Sequence, residues 1–500
     1  MAKKRFPIIV GAGQVTNHER NFVNAPHPLE LAASAVEAAI EDSRCTKIRR
    51  HVDTLGIVNI TSWHYKDPPR HLSEMLDIQP AVREYTGIGG NTPQWLVNRY
   101  ADRIAKGKTG IAIVAGAEAM DFSYRALREG YPLPWPTPGD VPSPTVGDSP
   151  FGSNDYEITH NAYTPIQVYP LFENALRAER GLDIDKHREF LSRHLAEFSR
   201  IAAENPLAWS QRERSASEIG TVTEENRIIG FPYTKFMNPV MKVNQSAALI
   251  ISSTEMAEKL AIPKDRWVYL HGGADANDKW FVSERIDFTS SPAIEMVAHA
   301  ALQMAGLESN EIDFFDLYSC FPSATVIGAK SLGLDMENLP PLTVTGGLAY
   351  FGGPGNNYTT HAIAEAVKKL RKKPESFGYI SALGWFITKH SAGIYSGREP
   401  EKPWDRRGLQ GIQMRIDTME GPEIEIHPGG RASVETYTVM HDREGTPDYA
   451  IIAARLDNGK RCWAQTQKDE DFFSAMEREE FIGRKGAITA GVTGPNMMTF

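Results

Sequence analysis

The residues best suited to chemistry are two tyrosines, a histidine and two glycine turns. Tyr318 stands in the run YSCF, two residues before Cys320, Tyr350 in GGLAYFGGPG, and His390 in TKHSAGIYS. A phenol can donate or accept one proton, so two of them brought together can act as an acid and a base. The ordinary alternative for each is a packed ring with a bonded hydroxyl. An unperturbed histidine titrates near neutral pH, so His390 is either a proton carrier or a bonded histidine of the core. Cys320 reads as an inert, apolar thiol, and Cys45 and Cys462 stand apart from every such run.

The turns are GIGGN, holding Gly90 and Asn91, and GGPGNN, holding Gly353. Each opens a helix, whose free N–H groups and positive dipole end favour an oxyanion or a phosphate. Tight turning and close packing account for the glycines equally well. Neither turn carries the lysine of a phosphate-binding loop or the third spaced glycine of a dinucleotide fingerprint, so ATP and NAD are not expected.

These residues need an α/β frame to position them. FPIIVGAGQ reads as a buried strand, LELAASAVEAAIEDS as an amphipathic helix and VDTLGIVNI as a second strand. A helix over 93–106, with Thr92 as N-cap, and the strand GIAIVAGAEAM follow. The same order returns 260 to 263 residues later, from Gly11 to Gly273, Asp53 to Asp313 and Gly90 to Gly353. Two copies of one βαβαβ unit are therefore expected, with a mostly parallel sheet. The first half covers 1–120 and 231–262, an inserted lid 121–230, and the second half 263–415. Over 416–500, SVETYTVM, YAIIAARL and RCWAQTQ with the turn DNG predict a separate small β-barrel domain.

With that frame in place, four separated blocks resemble the thiolase superfamily over residues 6 to about 400: GAEAM, VNQSAALIIS, YSCF and GGLAYFGGPG. The C-terminal β domain, GGNTPQ and TKHSAGIYS are similar to the thiolase-like proteins of type one. The resemblance implies a duplicated thiolase fold in αβαβα layers and a coenzyme A thioester as substrate or ligand, with no permanently bound cofactor. By the same resemblance Gly90 stands at the nucleophile's position, where no thiol is available to carry an acyl group. Tyr318 replaces an oxyanion-hole Asn or His, and Gly353 replaces the histidine of the third block. Tyr318, Tyr350, His390, Gly90 and Gly353 are thus the expected catalytic positions, with Asn91, Asn244 and Ser246 on the ligand. Arg125, Arg128 and Lys235 of the lid either meet its phosphates or are solvated. The implied activity is acetyltransferase-like or aldol-type carbon–carbon chemistry without an acyl-cysteine, in lipid metabolism; the alternative is a non-catalytic acyl-CoA or lipid binder.

Composition narrows the partners. The 500 residues are 41% hydrophobic and 23% charged, which is the balance of a folded protein. A net charge of -9 without a long basic run argues against nucleic acid. No run approaches the roughly 20 apolar residues of a membrane span, and three scattered cysteines give neither a disulfide framework nor a metal knuckle. A cytoplasmic monomer or homodimer is expected.

Overall fold

A computed structural model describes residues 5–136, 145–147, 149–409 and 411–500. The first half contributes strands β1 (Pro7–Thr16), β2 (Thr54–Ile57), β3 (Val82–Thr86) and β4 (Ile111–Ala119). The lid holds β5 (Thr145–Val146) and β6 (Ile228–Gly230), and β7 (Tyr233–Thr234) and β8 (Asn244–Ser253) return to the first half. Residues 137–144 and 148 of the lid's proline-rich opening lie outside the described residues. The second half has β9 (Val268–Asn277), β10 (Phe314–Asp316), β11 (Phe377–Gly384) and β12 (Lys389–Ser396).

Each half opens on a strand that carries glycine where the next helix must come close. A Cβ on Gly11 of β1 would overlap the carbonyl of Ala39 in the helix Pro28–Asp42. Gly272 of β9 meets the carbonyl of Ala301 in the helix Pro292–Ala305 in the same way. The repeat therefore pairs Gly11 with Gly272, one residue before the glycine that spacing alone suggests. The strands run in the order β10-β11-β12-β9-β1-β8-β4-β2-β3-β5, and the halves join where β1 pairs with β9 through only Ile8↔Tyr269 and Ile9↔Val268. The helices Thr92–Ala105 and Tyr358–Lys372 pack against this sheet and are buried on most sides. Asn91 and not Thr92 is the N-cap of the first. This is the duplicated α/β fold expected, but the sheet is mixed and not mostly parallel: β10·β11, β2·β4, β2·β3 and β3·β5 pair parallel, whereas β11·β12, β12·β9, β9·β1, β1·β8 and β8·β4 pair antiparallel.

Beyond the second half lie β13 (Gly429–His441), β14 (Pro447–Leu456), β15 (Arg461–Ala464), β16 (Lys485–Thr489) and β17 (Met497–Thr499), paired in the order β15-β14-β13-β16-β17. A parallel bridge between Gln465 and Met497 brings the two ends together, with the Gln465 N–H on the Asn496 carbonyl at 2.8 Å and the Met498 N–H on the Gln465 carbonyl at 2.8 Å. The strands thus close into a small barrel, filled by Val434, Val439, Ile452, Phe473 and Ile488. The sequence reading sets this domain apart from the lid; the structure joins them. Strand β6 pairs with β13 at Gly230↔Met440, and Phe231, which follows the lid directly, completes the barrel's core. The edge of β3 is covered from within the chain, by β5 through Tyr85↔Thr145 and Thr86↔Val146. The strand that blunts this edge comes from the lid, not from the barrel.

Candidate active site

The turn Ile88–Asn91 carries the chain from β3 into the helix Thr92–Ala105. It is tied to the matching turn of the second half: the Gly89 N–H donates to Asn356 Oδ1 at 2.9 Å, and Thr359 Oγ1 donates to the Gly90 carbonyl at 3.2 Å. The helices begin at Thr92 and Tyr358, so the counterpart of Gly90 is Asn356. Gly353 lies three residues earlier, and the equivalence drawn from glycine spacing is corrected accordingly.

Between these turns and the lid lies a cavity of about 200 Å³, lined by Gly90, Tyr318, Cys320, Asn356, Trp385 and Phe386 together with lid aromatics and Met241. Among the described residues no charged side chain lines it. A Cβ built on Gly90 would overlap the Tyr318 hydroxyl and crowd the Leu383 carbonyl. The phenol therefore fills the volume into which a side chain at position 90 would project. Burial raises the Tyr318 pKa well above the ordinary phenol value, with nearby Cys320 adding to the rise, so the hydroxyl stays protonated. It has no hydrogen-bond partner among the described residues. Burial likewise pushes the Cys320 thiol up to about 12, which leaves no thiolate at neutral pH. The main-chain N–H groups of Gly90 and Phe386, two residues of the lining, donate to no acceptor among the described residues.

The structure does not bring the remaining expected residues into this cavity. Asn91 and His390 line a neighbouring cleft of about 420 Å³ with Lys389 and Trp280. His390 is on β12, and burial lowers its pKa to about 4, which makes it neutral at pH 7. Its Nε2 has no partner among the described residues, and it shares a gap of about 20 Å³ with Tyr318. Tyr350 ends the short helix Gly347–Tyr350 with a buried hydroxyl that has no partner among the described residues and stands outside the cavity lining. Gly353 donates its N–H to the Val240 carbonyl at 2.9 Å. Asn244 donates to the Asn17 carbonyl at 3.1 Å and accepts the Phe122 N–H at 3.1 Å, while Ser246 Oγ donates to the Gly116 carbonyl at 2.9 Å. Both residues thereby fasten β8. Arg125 pairs with Asp121 at 2.9 Å and Arg128 with Glu129 at 3.4 Å.

Two residues before Tyr318, buried Asp316 turns the chain out of β10. It accepts hydrogen bonds from Thr343 Oγ1 at 3.0 Å, the Val344 N–H at 2.9 Å and the Tyr358 hydroxyl at 3.2 Å. Burial raises its pKa to about 7, against these bonds. The folded state then keeps a proton that the unfolded state loses near pH 3.9. Its contribution to stability is full below that value and is lost as pH rises to about 7. Asp316→Asn is expected to flatten this dependence, gaining about 3–4 kcal/mol on the wild type between pH 4 and pH 8 in urea denaturation. Parallel pH profiles of the two proteins would sink this assignment.

The whole chain superposes on the crystal structure of a monomeric SCP2-thiolase-like protein type 1 from Mycobacterium smegmatis, at 34% identity and a TM-score of 0.86, covering 100% of both chains. The chain belongs to the SCP2-thiolase-like proteins of type 1. Residues 411–492 of this thiolase-like protein match the thiolase-like protein type 1 additional C-terminal domain, the barrel described above. The acetyl-CoA acetyltransferase of Methanocaldococcus jannaschii is 22% identical over 271 residues, which are 50% of this chain and 60% of that protein. The thiolase-like protein thus spans less than two thirds of that curated relative. The Ltp2–ChsH2(DUF35) aldolase shares the fold, at 21% identity and a TM-score of 0.61 over 78% of this chain and 97% of that one. Among the described residues no helix is long and apolar enough to cross a membrane. The M. smegmatis relative is monomeric, which is compatible with the monomer among the two states expected.

Sequence reasoning missed the loop after β11, whose Trp385 and Phe386 wall the cavity, and the lid aromatics Tyr163 and Tyr169. Counting the repeat by helix starts instead of glycines would have found Asn356.

Proposed function

We propose that this thiolase-like protein binds a coenzyme A thioester in the Tyr318 cavity and makes or breaks the Cα–Cβ bond of its acyl group by aldol chemistry, without an acyl-enzyme. The observation that carries this reading is the protonated Tyr318 hydroxyl standing in the place of a side chain on Gly90. In the cleaving direction the β-hydroxyl proton of the substrate passes to the Tyr318 oxygen as the Tyr318 proton passes to Cα. The Cα–Cβ bond breaks, its electron pair moves to Cα through the thioester enolate, and a carbonyl compound and a shortened acyl-CoA leave. The N–H groups of Gly90 and Phe386 supply donors for the enolate oxygen. The fold shared with a protein named an aldolase supports this direction.

A second reading, a binding protein without turnover, is favoured by one observation: His390 and Tyr350, the two expected partners of Tyr318 in proton transfer, lie outside the cavity lining. Incubation with a 3-hydroxyacyl-CoA, followed by mass spectrometry of the small molecules and of the intact protein, separates the readings. The expected result is a carbonyl compound and a shortened acyl-CoA with no gain in protein mass. Saturable binding without products would assign the second reading, and an acylated protein would overturn both.

A further inference from the structure

The loop Trp385–Thr388 forms one wall of the cavity, and its main chain is strained. Trp385 and Ile387 have φ of 54° and 55°, the left-handed region that bulky and β-branched residues avoid. Such a conformation persists only where its surroundings over-determine it. Here every carbonyl of the loop has a donor. The Tyr169 hydroxyl donates to Trp385 O at 2.8 Å, and the Asp278 N–H donates to Thr388 O at 2.7 Å. Between them the Arg285 guanidinium donates to Phe386 O at 3.0 Å, Ile387 O at 2.7 Å and Thr388 Oγ1 at 3.0 Å. Arg285 is 2% exposed, so these bonds are shielded from water.

The segment that carries Arg285 is itself held from the far side by the barrel. Arg461, at the start of β15 and fully buried, donates to the carbonyls of Ser283 at 2.9 Å, Arg285, and Ile286 at 3.3 Å. Glu435 of β13 holds the same guanidinium through Nε at 2.7 Å and Nη2 at 2.5 Å. The lid adds Glu157, which accepts the Ser283 N–H at 2.6 Å. A planar guanidinium with five donors can serve a carboxylate and several carbonyls at once, which a lysine ammonium cannot.

We propose that Arg461 and Arg285 are positioning residues acting in series, through which the C-terminal barrel holds the cavity wall in its strained form. Arg461 fixes residues 283–286, and Arg285, projecting from that segment, fixes residues 385–388. The task of the additional domain is then to set the shape of the thioester site. The inference rests on the cavity being that site, but its test needs no ligand and no turnover, so the two can fail separately.

Hydrogen exchange on the full chain, read by mass spectrometry, tests the series. In Arg461→Met the peptides spanning 383–390 are expected to exchange about tenfold faster, while β14 of the barrel keeps its protection. Arg285→Met is expected to give the same loop signature with the barrel untouched, and Arg461→Lys to recover part of the protection. Exchange that rises in Arg461→Met only within 423–465, or a loop unchanged in Arg285→Met, overturns the proposal. Should Arg461→Met fail to fold, Glu435→Gln loosens the same guanidinium more gently. Faster loop exchange in that variant supports the series, and an unchanged loop overturns it.

Discussion

Tyr318→Phe is expected to lower the rate of 3-hydroxyacyl-CoA cleavage by about 10²–10⁴-fold, the usual contribution of a positioned proton donor. The substitution removes one oxygen and leaves the ring where it is, edge-on to Tyr358 with centroids 5.5 Å apart. The hydroxyl has no protein partner among the described residues, so its loss leaves no buried group unpaired and the fold is expected to keep its stability within about 0.5 kcal/mol. Binding of the thioester should change by no more than a few-fold, because a single neutral hydrogen bond contributes about 1 kcal/mol. Single-turnover kinetics beside calorimetric titration make the comparison. A variant that cleaves as fast as the wild type would remove Tyr318 from the chemistry.

Ending the chain at residue 410 is expected to abolish cooperative folding of what remains, although the deleted part is a barrel with its own core. The contacts explain why. Trp463 of β15 is fully buried in the core shared with the α/β halves, and its main-chain N–H donates to the Tyr156 hydroxyl of the lid at 2.8 Å. The Asn496 N–H donates to His160 Nε2 at 3.0 Å, and Asn174 of the lid donates to the Tyr437 carbonyl at 2.8 Å. Deletion would uncover the lid helix Pro165–Glu179 and Phe231, and would take from the Asn174 amide one of its two acceptors, the Tyr437 carbonyl. Each large apolar side chain uncovered forfeits about 1.5–3 kcal/mol of burial, so several together are comparable with the 5–15 kcal/mol by which a protein is typically stable. Size-exclusion chromatography and calorimetry of residues 1–410 make the check. A monomer with one sharp unfolding transition would show that the barrel is an appendage.

The duplicated halves are legible in the sequence because strand and helix periods are local, and the order of elements repeats at nearly constant spacing. The link from lid to barrel is not. Gly230 and Met440 pair across 210 residues, and nothing in the spacing of either segment announces the other. Gly90 and Tyr318 could be brought together by motif alone, and the structure confirms that they touch the same cavity. His390 and Tyr350 illustrate the limit. Which way a strand residue faces depends on register to one residue, and a helix of four residues has no periodic face from which to read the direction of Tyr350. Arg285 and Arg461 escaped notice because an arginine in a loop or at a strand end is most often a solvated cation. Only the coordinates reveal that both are buried.

The placement of β1 also orders events during synthesis. Its partners are β8 and β9, so residues 7–16 cannot be paired until the chain has reached residue 253. At about 5–20 residues per second, some 240 residues take roughly 10–50 s to emerge. Throughout that interval the first strand waits with its hydrogen-bonding edges open while the whole lid is made. Because the lid must leave the ribosome before the first half can close, chaperone demand should peak before the second half is translated. A slow codon stretch near the end of the lid would lengthen exposure of the N-terminal strand, whereas one placed after β9 would not.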